Sequence, residues 1–107
     1  MLYYIGNIES FHKIIKSPLT FCLFTASWCK PCQTIKPIFI KLANDTPSVN
    51  FVIIDTDSFI SLSEHYFINS VPSILLFKNN TYIKKLDTIN SFNLKNVLEN
   101  NITKNED

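Results

Sequence analysis

The chain has 107 residues, 46% of them hydrophobic and 13% aromatic, enough for one domain with a packed core and no need of disulfide staples. Its formal net charge is +1 and all ten basic residues are lysines, which argues against a polyanion-binding surface and rules out guanidinium forks for phosphate or guanine. No apolar run approaches the roughly 20 residues of a membrane span, so neither a nucleic-acid nor a membrane partner is expected.

In chain order, residues 2–5 suit a short strand. Ile8, Phe11, Ile14 and Ile15 form a helical stripe that stops at Ser17-Pro18. Thr20 to Thr25 is a continuous apolar run of strand length, as in a central strand covered on both faces. Ile35, Ile38, Phe39, Leu42 and Ala43 keep helical spacing as far as Asn44-Asp45. Phe51 to Ile54 reads as a second buried strand ending at Asp55-Thr56-Asp57, followed by a short helix over about 59–67. Ser73 to Phe77 and Thr81 to Leu86 read as two strands joined at Asn79-Asn80, where asparagine accepts positive φ. Asn90 or Ser91 caps a last helix carrying Phe92, Leu94, Val97 and Leu98, and residues 103–107 are expected as a frayed tail. Strands separated by helices argue for parallel neighbours, and the tight turn requires an antiparallel pair. The fold class is α/β, a central mixed sheet of about five strands flanked by four helices, in one domain over 1–107.

Two cysteines carry the chemistry. Cys29 and Cys32 lie in Trp28-Cys29-Lys30-Pro31-Cys32, straight after the first buried strand. At a helix start, positions i and i+3 share a face, so the two sulfurs can meet. The first faces the unpaired N–H groups and dipole of the helix N-terminus, which favour its thiolate, the reactive form. Pro31 sets φ in the first turn without wasting a hydrogen bond. This is a site for a reversible dithiol/disulfide exchange, at the carboxyl edge of a central strand, where open α/β sheets carry their sites.

Blander readings compete at each position. A structural zinc site needs four ligands and there is no second cysteine pair. Haem attachment would need histidine where Gln33 stands. Cys22, among Phe21, Leu23 and Phe24, reads as a buried inert thiol, and His12 and His65 as surface residues on helices away from the motif. Trp28 is either core filler or an exposed contact surface. Asp55 and Asp57 read as solvated strand-end residues. Pro72, before a buried strand, has few decorative explanations. The residues 1–7 lead into neither a long apolar run nor a small-residue cleavage site, and a close cysteine pair in such a chain suits a reducing compartment, so a cytoplasmic setting is expected.

Over roughly residues 2–102 the chain resembles the thioredoxin family. The resemblance is carried by Trp28-Cys29-Lys30-Pro31-Cys32, by Pro37 in the following helix, by Val52-Ile53-Ile54-Asp55-Thr56-Asp57, by Val71-Pro72-Ser73 and by Phe77-Lys78-Asn79-Asn80. It implies a reductase of protein disulfides in which Cys29 attacks, Cys32 resolves, and the two close a redox disulfide. It further implies a cis bond before Pro72, client contacts from Trp28, Lys30, Pro31, Val71 and Pro72, and no bound cofactor or metal. Electrons would come from a thioredoxin reductase or an equivalent NADPH-dependent donor, clients would be disulfide-containing proteins, and the chain would act as a monomer.

Four departures from the family pattern stand out. Leu23 occupies the place of a buried aspartate beneath the second cysteine, and Ile53 that of its lysine partner. Lys30 replaces the usual glycine, which favours the Cys29 thiolate and an oxidising shift. Asp87-Thr88 replaces a Gly-Ala pair bordering the client groove. These departures keep two alternatives open: an oxidase or isomerase of the same fold, and a binding module that docks through Trp28 and Pro72 without catalysis.

Overall fold

A computed structural model describes residues 1–86 and 89–106, with 103–106 described by backbone alone. Five strands and four helices follow one another as β1 (Leu2–Tyr4), α1 (Ile8–Ile14), β2 (Thr20–Thr25), α2 (Lys30–Asp45), β3 (Asn50–Asp55), α3 (Ile60–His65), β4 (Ser73–Lys78), β5 (Thr81–Lys85) and α4 (Ser91–Glu106). The strands form one mixed sheet in the order β1-β3-β2-β4-β5. β2 is the middle strand, and all six of its residues are buried, as its unbroken apolar run requires.

Alternation along β2 sends successive side chains to opposite faces. Leu19, Phe21 and Leu23 join Ile35 and Phe39 of α2 and Leu94 and Leu98 of α4 in one core layer. Cys22 and Phe24 join Phe11 of α1, Leu62 of α3, and Val52 and Ile54 of β3 in the other. Phe39 and Phe51 meet edge-to-face at 5.1 Å in the first layer, and Phe11 and Phe77 at 5.8 Å in the second.

The strand directions correct one expectation. β3 runs parallel to β2, with Thr20 opposite Asn50 and Thr25 opposite Asp55. β4, although separated from β3 by a helix, runs antiparallel to β2, with Phe24 opposite Ser73 and Thr20 opposite Phe77. The connection over residues 56–72, with α3 only six residues long, brings the chain back into the sheet at the edge where β3 ended, so β4 starts there.

Asn79 and Asn80 both have positive φ, 49° and 71°, the geometry of a two-residue hairpin. Their N–H groups donate to the carbonyls of Ser17 and Ile15, tying the hairpin to the end of α1. Asn90 is the cap of α4, its Oδ1 accepting the Asn93 N–H at 2.8 Å. Residues 103–106, expected in a frayed tail, continue the helix to Glu106, since each residue added to an existing helix gains a hydrogen bond without a new nucleus. Asp107 lies outside the described residues.

Candidate active site

β2 delivers the chain to Thr25, and a turn closed by the Cys29 N–H on the Ala26 carbonyl (3.2 Å) leads into α2. Cys29 is the N-cap of α2, in extended backbone at φ −89° and ψ 112°, and its Sγ accepts the Cys32 N–H at 3.2 Å. The sulfur thus takes the place that a serine or aspartate oxygen takes in an ordinary cap, at the positive end of a 16-residue helix. Pro31 falls in the first turn, where its missing N–H leaves no bond unmade.

Cys29 and Cys32 are joined by a disulfide with a Cα–Cα separation of 5.3 Å, within the ordinary range for such bonds. Both are buried, Cys29 at 4% exposure and Cys32 at 0%. Cys29 is therefore less open than a residue at a helix start suggests, because Ala26 and Val71 pack around the pair. The order of accessibility still favours Cys29.

Val71 and Pro72, half-buried, meet the pair from the other side of β2. Their peptide bond is cis, and the Val71 carbonyl oxygen stands 3.5 Å from Cys29 Sγ. Trp28 is 68% exposed, which excludes core filling. Its indole N–H donates to Asp57 Oδ2 at 3.1 Å. This corrects the reading of the two aspartates as merely solvated. Asp57 anchors the tryptophan, and Asp55 accepts the Asp57 N–H (3.0 Å) and the Ser58 hydroxyl (3.2 Å). The sequence signal was available only in hindsight of topology: an aspartate just past β3 reaches the loop just past β2 because the two strands are parallel neighbours.

Lys30 and Pro31 are exposed beside the disulfide, so the lysine charge acts on Cys29 through solvent and is screened by salt. A groove of about 380 Å³ lies beside the start of α2, lined by Pro31, Thr34, Ile35, Pro72, Ile89 and Asn90 among others. Asp87 and Thr88, expected to narrow such a groove, lie outside the described residues. The two positions that depart from the family's buried charged pair are apolar. Leu23 stands opposite Ile53 in β3 and Ile74 in β4, with exposures of 0%, 4% and 0%.

Cys22 does not join the pair. It lies in the opposite core layer, and burial pushes its thiol well above the usual range. His12 and His65 are on the surface. Among the described residues, no group of three or more His, Cys, Asp or Glu side chains is placed to hold a metal ion.

A redox disulfide capping the helix after the central strand, beside a proline-led strand, defines a thiol–disulfide exchange protein. The family model described as Thioredoxin matches residues 4–104, and the chain belongs to the thioredoxin family. It is 34% identical to a thioredoxin of Ictalurus punctatus, over 89% of this chain and 94% of that one. A thioredoxin of Chlamydia trachomatis is also 34% identical, over 72% of this chain and 76% of that protein. The solution structure of oxidised thioredoxin from Plasmodium falciparum superposes with a TM-score of 0.83 at 26% identity, over 94% and 97% of the two chains. For Malassezia sympodialis thioredoxin the TM-score is 0.86 at 22% identity, over 94% and 92%, a likeness of fold. The protein is a thiol–disulfide oxidoreductase of the disulfide-reductase kind, working through a Cys29–Cys32 dithiol/disulfide pair.

Proposed function

We propose that the protein is a general, monomeric, cytosolic reductase of protein disulfides, with Cys29 as attacking and Cys32 as resolving sulfur. One observation carries the assignment of roles: Cys29 Sγ caps α2 and accepts the Cys32 N–H, which favours its thiolate, while Cys32 is fully enclosed. In the reduced protein, the Cys29 thiolate attacks one sulfur of a client disulfide. The client S–S bond breaks, a Cys29–client mixed disulfide forms, and the client's other sulfur leaves as a thiolate. Cys32 then loses its proton to solvent or to that thiolate and attacks Cys29 Sγ. The client's second sulfur leaves, so the client gains two electrons and the Cys29–Cys32 bond closes.

Trp28, Lys30, Pro31, Val71 and Pro72 surround the pair and supply the client contact. The Val71 carbonyl suits strand-like pairing with the client backbone beside the attacked sulfur. The chain holds no redox cofactor of its own in this reading, and an NADPH-dependent reductase restores the dithiol. The cytosolic setting rests on cysteine usage, a reactive pair with a buried third thiol.

The test is insulin reduction driven by NADPH and a thioredoxin reductase, then by dithiothreitol. Turnover by the wild type, loss of it in Cys29→Ser, and a stable client adduct on Cys32→Ser are the expected results. Inactivity with both donors would sink the reductase reading. Apolar Leu23 and Ile53 in place of the family's buried charged pair favour a second reading, an oxidase or isomerase. Equilibration against glutathione decides between them, since a strongly oxidising potential excludes the reductase.

A further inference from the structure

The chain leaves α3 through a Schellman closure with an unusual residue at its centre. Phe67 has a φ of 54°, its N–H donates to the Glu64 carbonyl at 3.1 Å, and the Ile68 N–H donates to the Ser63 carbonyl at 2.9 Å. Glycine usually fills this left-handed position because a Cβ is crowded there, and a bulky residue in it is an outlier. Phe67 gives little packing in return, since it is 80% exposed, more so than Trp28. A residue that strains the backbone without filling the core points outward for a reason other than folding.

Its place in the fold indicates that reason. β3 ends at Asp55, opposite Thr25, and β4 begins at Ser73, opposite Phe24. Both ends of the segment 56–72 therefore lie at the carboxyl edge of β2, the edge that leads into Trp28 and the disulfide. Phe67 is four positions from Val71, whose carbonyl stands 3.5 Å from Cys29 Sγ, and four residues reach at most about 14 Å. A client docked over the disulfide with a footprint of about 800 Å² per partner covers a patch roughly 30 Å across, wide enough to include Phe67.

We propose that Phe67 is a specificity residue for the reductase activity, an aromatic anchor for apolar side chains of the polypeptide whose disulfide Cys29 attacks. The inference rests on the reductase reading above and adds to it a preference for protein clients with apolar residues near the disulfide. Small disulfides, which touch only the sulfur pair, gain nothing from it.

Phe67→Gly tests this cleanly, because it removes the ring and relieves the backbone at once. Dithiothreitol-driven reduction of insulin and of hydroxyethyl disulfide is measured for the wild type, Phe67→Gly and Phe67→Tyr, with a thermal melt of each. The glycine variant should melt higher than the wild type, show an insulin KM raised about five- to tenfold, and reduce hydroxyethyl disulfide at the wild-type rate. Tyrosine should restore the insulin KM. An unchanged insulin KM overturns the proposal, as does an equal loss on both substrates or a lower melting temperature. A wild type that reduces neither substrate refutes the reductase reading itself, and this inference with it.

Discussion

Leu23 and Ile53, in place of the family's buried charged pair, are expected to slow the second half-reaction. In the proposed cycle Cys32 must shed a proton before it can attack, and the positions of the family's buried ion pair hold Leu23 and Ile53, both buried, which accept none. Resolution then depends on water or the departing client thiolate. Leu23→Asp would supply an acceptor at the expense of burying a carboxyl with no cationic partner at Ile53. That carboxyl has a folded pKa raised above its unfolded value of about 3.9, so the folded state favours its neutral form. Loss of the fully buried leucine should already cost about 3 kcal/mol at pH 4, and the variant should lose on the order of 3 kcal/mol more as pH rises to neutrality. In single-turnover experiments its mixed disulfide should collapse faster than the wild type's. A slower or equal collapse, or a stability gap that does not widen with pH, contradicts this account.

Among the elements, α4 offers a direct measurement. Its cap is one hydrogen bond from the Asn93 N–H to Asn90 Oδ1, and replacing it by Asn90→Ala should cost about 1 kcal/mol. The urea midpoint should fall at unchanged slope. Most of the elements could be read from the chain because their signals are local. The run from Thr20 to Thr25 has no polar break, and the stripe through Ile35, Phe39 and Ala43 has the helical period. What escaped reading was set by partners distant in sequence. The direction of β4 depends on which edge of the sheet the connection over 56–72 re-enters, and the bond between Trp28 and Asp57 depends on which strands are neighbours. Phe67 escaped because a left-handed phenylalanine leaves no compositional mark. The site pair itself was legible because spacing alone brings Cys29 to Cys32, whereas the enclosure of Cys29 by Val71 is a tertiary fact. The edges of the sheet differ in kind from its centre: β5 is exposed throughout and carries Lys84 and Lys85, charges that discourage pairing with another chain.

For the molecule as a whole, Cys22 makes folding sensitive to alkali. Burial raises its pKa in the folded state, while in the unfolded chain it ionises near the ordinary thiol value of about 8.5. Stability is therefore full below that pH and falls as pH rises past it, by about 1.4 kcal/mol per pH unit from this one group. Denaturation of Cys22→Val between pH 8 and 10 should show a shallower decline than the wild type, and an identical slope would contradict the assignment. Cys22 belongs to the strand that leads into the reactive pair, and this strand has a hydrogen-bonded neighbour on each side and a core layer against each face. Segments so enclosed open only when the entire structure opens. The dithiol is thus anchored to the last part of the molecule to come apart. Fraying at the edges leaves its geometry alone, and a chain that has lost its centre has lost its redox chemistry in the same event, with no half-folded reductase in between.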